Sequence, residues 1–163
     1  MLTLPRTTER AAQPFVAVRR TVRIPFDADI APAMAELFDV LRQKGIEPSG
    51  PVFFKYNIIR MPELEIDFAV PVAASVIDAG SLVSGILPPG RYAELTYWGH
   101  YDNLMDANAV LIGWAKEKGI AWDAHEAADG DHFACRMEIY PNGPDDEPDP
   151  AKWETTVAIK VKD

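Results

Sequence analysis

Glu138 sits in the middle of an alternating segment, and its position there raises the question of charge chemistry. Alternation over Phe133–Tyr140 places Phe133, Cys135, Met137 and Ile139 on one face and Ala134, Arg136, Glu138 and Tyr140 on the other. The first set suits a helix-covered core, which leaves Glu138 on the opposite face. A partly desolvated carboxylate is disfavoured as an anion unless a cation or hydrogen-bond donors compensate it. Spacing alone supports two readings: a carboxylate waiting for a cationic ligand, or a surface pair with Arg136 or a lysine. Aromatic residues supply the second signal. Tyr56, Tyr92, Tyr97, Trp98, Tyr101, Trp114, Tyr140 and Trp153 fall on or beside expected strands and helix starts. Trp114 keeps helical spacing with Leu104 and Leu111 and reads as packing. Tyr92 and Trp98 share a strand face with Glu94 and Thr96, opposite Ala93 and Leu95. With Tyr56, Tyr101, Tyr140 and Trp153 they are the candidate wall of a site, where each cation–π contact is worth about 0.5–2 kcal/mol.

Other chemistries find little support. His100, His125 and His132 lack metal-ligand spacing, and His132 with Cys135 offers two ligands at most, so no metal and no cofactor is expected. Gly80–Gly85 lacks the Lys-Ser/Thr of a phosphate loop and runs into prolines. Asp145, Asp146, Glu147 and Asp149 lack the length and glycine position of a calcium loop and read as a solvated turn.

The elements that must hold these residues follow from a globular composition. The 163 residues are 48% hydrophobic and 25% charged, enough for a single domain with a substantial core. Sixteen basic against twenty-five acidic residues give a net charge of −9, which repels phosphate backbones and excludes nucleic acid as the expected partner. One cysteine excludes an intramolecular disulfide framework and fits a reducing cytoplasm. No apolar stretch approaches the length of a membrane span.

Residues 1–14 read as a loose tail and 15–163 as one domain. A first strand over Phe15–Val22 precedes a helix capped by Asp27 or Asp29, with apolar positions from Ile30 to Leu41 and Gly45 as its stop. Val52–Ile59 and Leu64–Val70 form a hairpin around Met61-Pro62. A connector over 73–89 leads to a second strand, Arg91–Trp98. A helix near Asp102 to Gly119 and a hairpin of Phe133–Tyr140 with Trp153–Val161 complete the second unit. Each half reads β-α-β-β, with repeat one at about 15–72 and repeat two at 90–163. Arg42-Gln-Lys-Gly-Ile46 precedes Lys116-Glu-Lys-Gly-Ile120 by 74 positions, as Leu37 precedes Leu111. The expected class is therefore α+β, a tandem duplication whose helix-free sheet faces form a shared ligand groove.

Leu87-Pro-Pro-Gly-Arg-Tyr-Ala93, Tyr97-Trp-Gly-His-Tyr-Asp-Asn-Leu104, Trp114, Gly119 and Met137-Glu-Ile-Tyr-Pro141, with a closing tryptophan strand, resemble the GyrI-like small-molecule-binding domain. Gly50-Pro51 and Val70-Pro71-Val72 match its first half. One departure is Tyr97-Trp98 before the glycine, where the family often has a His or Thr and a variable residue. The resemblance implies a groove between the repeats that binds aromatic cations against one glutamate, here Glu138, as in multidrug-responsive regulators. Because about 14 residues precede the first strand, too few for a helix-turn-helix, it implies a stand-alone member. Three roles follow: sequestration of planar aromatic, cationic or electrophilic small molecules; hydrolysis of the cyclopropane of DNA-alkylating natural products; or inhibition of a topoisomerase. The hydrolytic reading gives Glu138 the role of general base and Tyr92, or Tyr56, that of polarising hydroxyl.

Overall fold

The computed structural model describes residues 1–163. Its elements are β1 (Arg6–Arg10), β2 (Gln13–Arg23), α1 (Asp27–Lys44), β3 (Phe53–Arg60), β4 (Glu63–Pro71), β5 (Val83–Leu87), β6 (Gly90–Trp98), α2 (Leu104–Glu117), β7 (Ala124–Ala127), β8 (Gly130–Phe133), β9 (Arg136–Ile139) and β10 (Glu154–Lys160). The strands form one sheet in the order β1-β6-β10-β9-β3-β4-β2-β5, with the β7–β8 hairpin attached to β3. Both repeats run outward from the centre in the same way, β3-β4-β2 on one side and β9-β10-β6 on the other. The chain is thus an α+β duplication joined through β3 and β9. Neither helix is long and apolar enough to cross a membrane.

The two helix ends show the duplication in local chemistry. Gly45 (φ 65°) and Gly119 (φ 70°) both take the left-handed conformation that a side chain would penalise. Each closes the same pair of bonds. The Gly45 and Ile46 amides donate to the Arg42 and Leu41 carbonyls, and the Gly119 and Ile120 amides donate to Lys116 and Ala115, 74 positions later. At the start of α1, Phe26 takes the cap position, while Asp27 and Asp29 occupy the first turn at the positive end of the helix dipole.

Several expectations need correction. Residues 1–14 are not a loose tail, since β1 pairs with β6 over five residues and Leu2 bridges Tyr97. The connector contains β5, which pairs with β2. The expected strand Phe133–Tyr140 is interrupted at Ala134-Cys135. Phe133 ends β8 and packs on the α2 cluster, whereas Arg136–Ile139 form β9.

The largest correction concerns the sheet faces. Register aligns Val18, Phe68, Phe54, Glu138, Val157 and Leu95 in one row across β2, β4, β3, β9, β10 and β6. Directly opposed residues share a face. Val18, Phe68 and Phe54 pack under α1, and Val157 and Leu95 pack under α2. Both helices therefore cover the face that carries Glu138. Cys135 and Met137 lie on the other face, in a cluster with Phe15, Phe53 and Tyr92. The groove is on the helix side, in the gap between α1 and α2.

Candidate functional site

The gap between the helices is a cavity of about 810 Å³ over the middle of the sheet. Strand residues Phe54, Tyr56, Arg136 and Glu138, with Tyr140 just past the end of β9, form its floor. Ile30 and Met34 of α1 face Met105, Asn108 and Ile112 of α2 across it. The helices part here because each packs over its own repeat, and β3 and β9 meet beneath the space they leave.

The register also explains the floor's composition. Phe54 lies opposite Glu138, and Phe53 and Lys55 lie opposite Ile139 and Met137. A pseudo-twofold through that pair exchanges Phe54 with Glu138, Val52 with Arg136 and Tyr56 with Tyr140. The strand offset is then 138 − 54 = 84 residues, against 119 − 45 = 74 at the helix ends. The ten-residue difference equals the span of the β7–β8 hairpin, 124–133, which interrupts the second repeat. Two tyrosines thus flank the centre symmetrically. The centre itself has diverged into one phenylalanine and one glutamate.

Glu138 is 7% exposed and takes part in none of the ion pairs of the molecule. The Tyr56 hydroxyl donates to its Oε1. Burial raises the Glu138 carboxyl above the ordinary 4.5, opposed by the Tyr56 hydrogen bond and then by the Arg136 charge. Tyr56 is pushed well above 10 by burial and by the Glu138 charge, so the shared proton stays on the phenol. Arg136 is also held down by burial, and its Nη2 reaches Asn108 Oδ1 at 3.4 Å rather than a carboxylate. The result is a buried negative charge that a phenol and the Arg136 guanidinium compensate in part, with no ion pair, facing a cavity whose walls are mostly apolar.

Phe54 meets Tyr140 edge-on at 4.8 Å between centroids, Tyr140 meets Tyr101 at 5.8 Å, and Tyr101 stacks on Trp153 at 4.8 Å. These rings run from the floor to the rim. Tyr56, Tyr101, Tyr140 and Glu138 are brought together as cavity lining. Trp153 is placed behind Tyr101, with its indole N–H on the Glu147 carbonyl at 2.7 Å. Trp98 does not line the cavity, and its alternation with Tyr97, which packs on the α2 cluster, puts it on the face away from the helices.

Tyr92 is separated from the cavity altogether. It is 1% exposed on the helix-free face, lines a distinct cavity of about 400 Å³, and donates to the Pro88 carbonyl at 2.7 Å. A sheet therefore stands between Tyr92 and Glu138. Tyr92→Phe is expected to leave ligand affinity within twofold while lowering stability by about 1 kcal/mol, the net worth of one buried hydrogen bond. Calorimetric titration and a denaturant melt check both parts, and a large loss of affinity contradicts the placement.

Sequence reasoning missed Phe54, Arg136 and Asn108 as lining residues. Asn108 carried a usable signal, since a polar residue four positions from Leu104 interrupts the apolar stripe of α2. Its amide now donates to the Leu104 carbonyl at 2.9 Å, leaving Oδ1 toward Arg136.

The model of the GyrI-like small molecule binding domain matches residues 5–162. The chain belongs to the GyrI-like family. Among solved structures, the GyrI-like fold seen here is similar to EcmrR in its DNA complex, with a TM-score of 0.82, 17% identity and 99% of this chain covered. This chain spans 57% of that EcmrR chain. It spans 96% of the isolated EcmrR C-terminal domain, with 97% of this chain covered, 17% identity and a TM-score of 0.78. SAV2435 bound to tetraphenylphosphonium matches with a TM-score of 0.60 and 12% identity over 97% of this chain and 93% of its own. A hydrolase from Listeria innocua matches with a TM-score of 0.63 and 14% identity over 97% and 91%. At these identities the likeness shows the GyrI-like fold alone. No curated protein matches the sequence.

Proposed function

We propose that the cavity binds planar or propeller-shaped aromatic cations and holds their charge against Glu138. The observation that carries this reading is the Glu138 carboxylate itself, buried, without an ion pair, and facing a space walled by tyrosine, phenylalanine, methionine and isoleucine. A bound cation completes the compensation that Tyr56 and Arg136 begin, and the rings add cation–π contacts of about 0.5–2 kcal/mol each. The volume fits a drug-sized molecule. Tetraphenylphosphonium on SAV2435 is a ligand of the same chemistry on a similar fold.

The direct test is calorimetric titration with tetraphenylphosphonium and with neutral triphenylphosphine oxide. The expected result is at least tenfold tighter binding of the cation. Equal affinity, or no binding of either, overturns the reading.

Hydrolysis is the second reading, favoured by the Glu138–Tyr56 pair and by the Listeria innocua neighbour described as a hydrolase. Burial makes Glu138 a stronger base than an exposed carboxylate. In this reading a water gives its proton to Glu138 while its oxygen attacks a strained ring carbon. The breaking carbon–carbon pair moves onto the substrate's conjugated carbonyl. Tyr56 is the phenol beside the base, a position Tyr92 does not share. A single-turnover experiment with an activated cyclopropane separates the readings. An enzyme yields ring-opened product faster than buffer and slows far more at the chemical step than in binding in Glu138→Gln. A binder never exceeds the buffer rate.

A further inference from the structure

Glu138 is not the only unpaired carboxylate of the cavity. Asp27, at the first turn of α1, and Asp145 and Asp146, in the loop between β9 and β10, also line it. None of the three aspartates forms an ion pair, and Arg136 is the one cationic lining residue. The lining charge is therefore four negative against one positive. These charges are not spread evenly: Glu138 is buried at the floor, Asp145 and Asp146 are exposed beyond its Tyr140 end, and Asp27 is exposed beyond its Tyr56 end.

Between the two levels lies an aromatic wall. Tyr140 stands beside Glu138 and meets Tyr101, and Tyr101 stands beside the aspartate loop, where its hydroxyl lies 3.0 Å from the position a Gly143 side chain would take. Burial raises the Tyr101 phenol, and the charges of Asp145 and then Asp146 add to that rise, so both aspartates act on this ring. The loop itself is held in place. Asp146 and Glu147 amides donate to the Gly143 carbonyl, and Asn142 ties the loop to Lys152 and to the Glu154 amide. The side chains of Asp145 and Asp146 make no internal hydrogen bond and are left to face the mouth. A cavity of about 810 Å³ has a linear dimension on the order of 10 Å, its cube root. That length separates two cationic groups joined by a short aryl or alkyl linker.

We propose that the cavity is built for elongated dicationic aromatic ligands, with one cation on Glu138 at the floor and the second beside Asp145 and Asp146 at the mouth. This rests on the reading of Glu138 as a cation site and names the ligand class within it. A second cation at the mouth meets exposed carboxylates, so its contribution is modest and screened by salt, a factor of about 5–10 rather than of thousands. The same acidic mouth draws cations toward the opening and raises the rate of encounter.

The probes are biphenyl-4,4′-dicarboxamidine, whose rigid aryl linker holds its two amidiniums at that separation, and 4′-methylbiphenyl-4-carboxamidine, in which one amidinium is replaced by a methyl group. Calorimetric titration of the wild-type protein at low and physiological salt is expected to give the dication a five- to tenfold advantage, shrinking as salt rises. In Asp145→Asn/Asp146→Asn the advantage should fall to within twofold while the monocation binds as before. Both aspartates are exposed and without internal bonds, so the double variant should melt with the wild type. Glu138→Gln should weaken both probes. Equal wild-type affinities for the two probes overturn the dication assignment and leave the Glu138 site standing. An advantage that persists in the double variant overturns it as well, because the second charge then lies elsewhere. Failure of both probes to bind overturns the Glu138 reading together with this one.

Discussion

Glu138→Gln is expected to weaken tetraphenylphosphonium binding by about 1–3 kcal/mol while making the ligand-free protein harder to unfold at neutral pH. Two unit charges at about 4 Å and an effective dielectric near 20 attract by about 4 kcal/mol, of which desolvation removes a part. The neutral amide keeps the shape of the carboxyl and still accepts the Tyr56 hydroxyl, so packing is preserved. The stability gain follows from proton linkage. Burial raises the folded-state pKa of Glu138 above its unfolded value of about 4.5. A raised pKa means that the folded state binds the proton more tightly, so its stabilising contribution is complete below about pH 4.5 and is lost as pH rises through the folded value. At neutral pH the native protein therefore carries a buried charge that Tyr56 and Arg136 compensate only in part, and glutamine removes it. Affinity for a permanent cation runs the other way, rising with pH across the same window as the carboxylate ionises. Titrations from pH 4.5 to 8, beside urea melts of both proteins, test the three statements together. A Gln variant that binds the cation as well as wild type, or that unfolds more easily at pH 7, contradicts the account.

Leu111→Ala should cost about 2–5 kcal/mol, a large share of the roughly 5–15 kcal/mol that holds a domain folded. Leu111 is fully buried in the cluster that fixes α2 to β6 and β10, and its repeat-one counterpart Leu37 is fully buried beneath α1. Leu37→Ala is expected to cost a similar amount, because duplication has placed both side chains at the same depth under equivalent helices. Denaturant melts with constant m-values are the check. A loss below about 1 kcal/mol at either position shows that its helix packs more loosely than the burial indicates. Because α2 carries Asn108 and Met105 to the cavity, the Leu111 variant should also bind cations more weakly at temperatures where it remains folded.

Much of this architecture is written in local patterns. The duplicated helices, their glycine ends and the Met61-Pro62 hairpin depend on interactions within a few residues, so the spacing of Leu37, Leu111, Gly45 and Gly119 was sufficient to find them. The candidate site was legible in part. Glu138, Tyr56, Tyr101 and Tyr140 were named from residue type, position and, for Glu138, the family resemblance, and all four line one cavity. Tyr92 was misplaced for a physical reason. Alternation groups residues by face, but the two faces of a strand are equivalent until something packs against one of them, and an apolar set such as Cys135 and Met137 fits a helix or a second core cluster equally well. The β1 and β5 edge strands escaped notice because their pairing partners lie elsewhere in the chain: β1 is some 80 residues from β6 and β5 some 70 from β2.

The sequence by itself determined that two β-α-β-β units exist, where each helix ends, and which side chains alternate together, since those properties depend on short-range sterics and hydrogen bonding. Only the tertiary structure decided which face the helices cover and that β3 docks on β9. That docking sets Glu138 opposite Phe54 in the gap between α1 and α2. The choice belongs to long-range packing: burying both apolar helix stripes on one side of a single sheet leaves the junction of the repeats uncovered, and the buried charge falls at that junction.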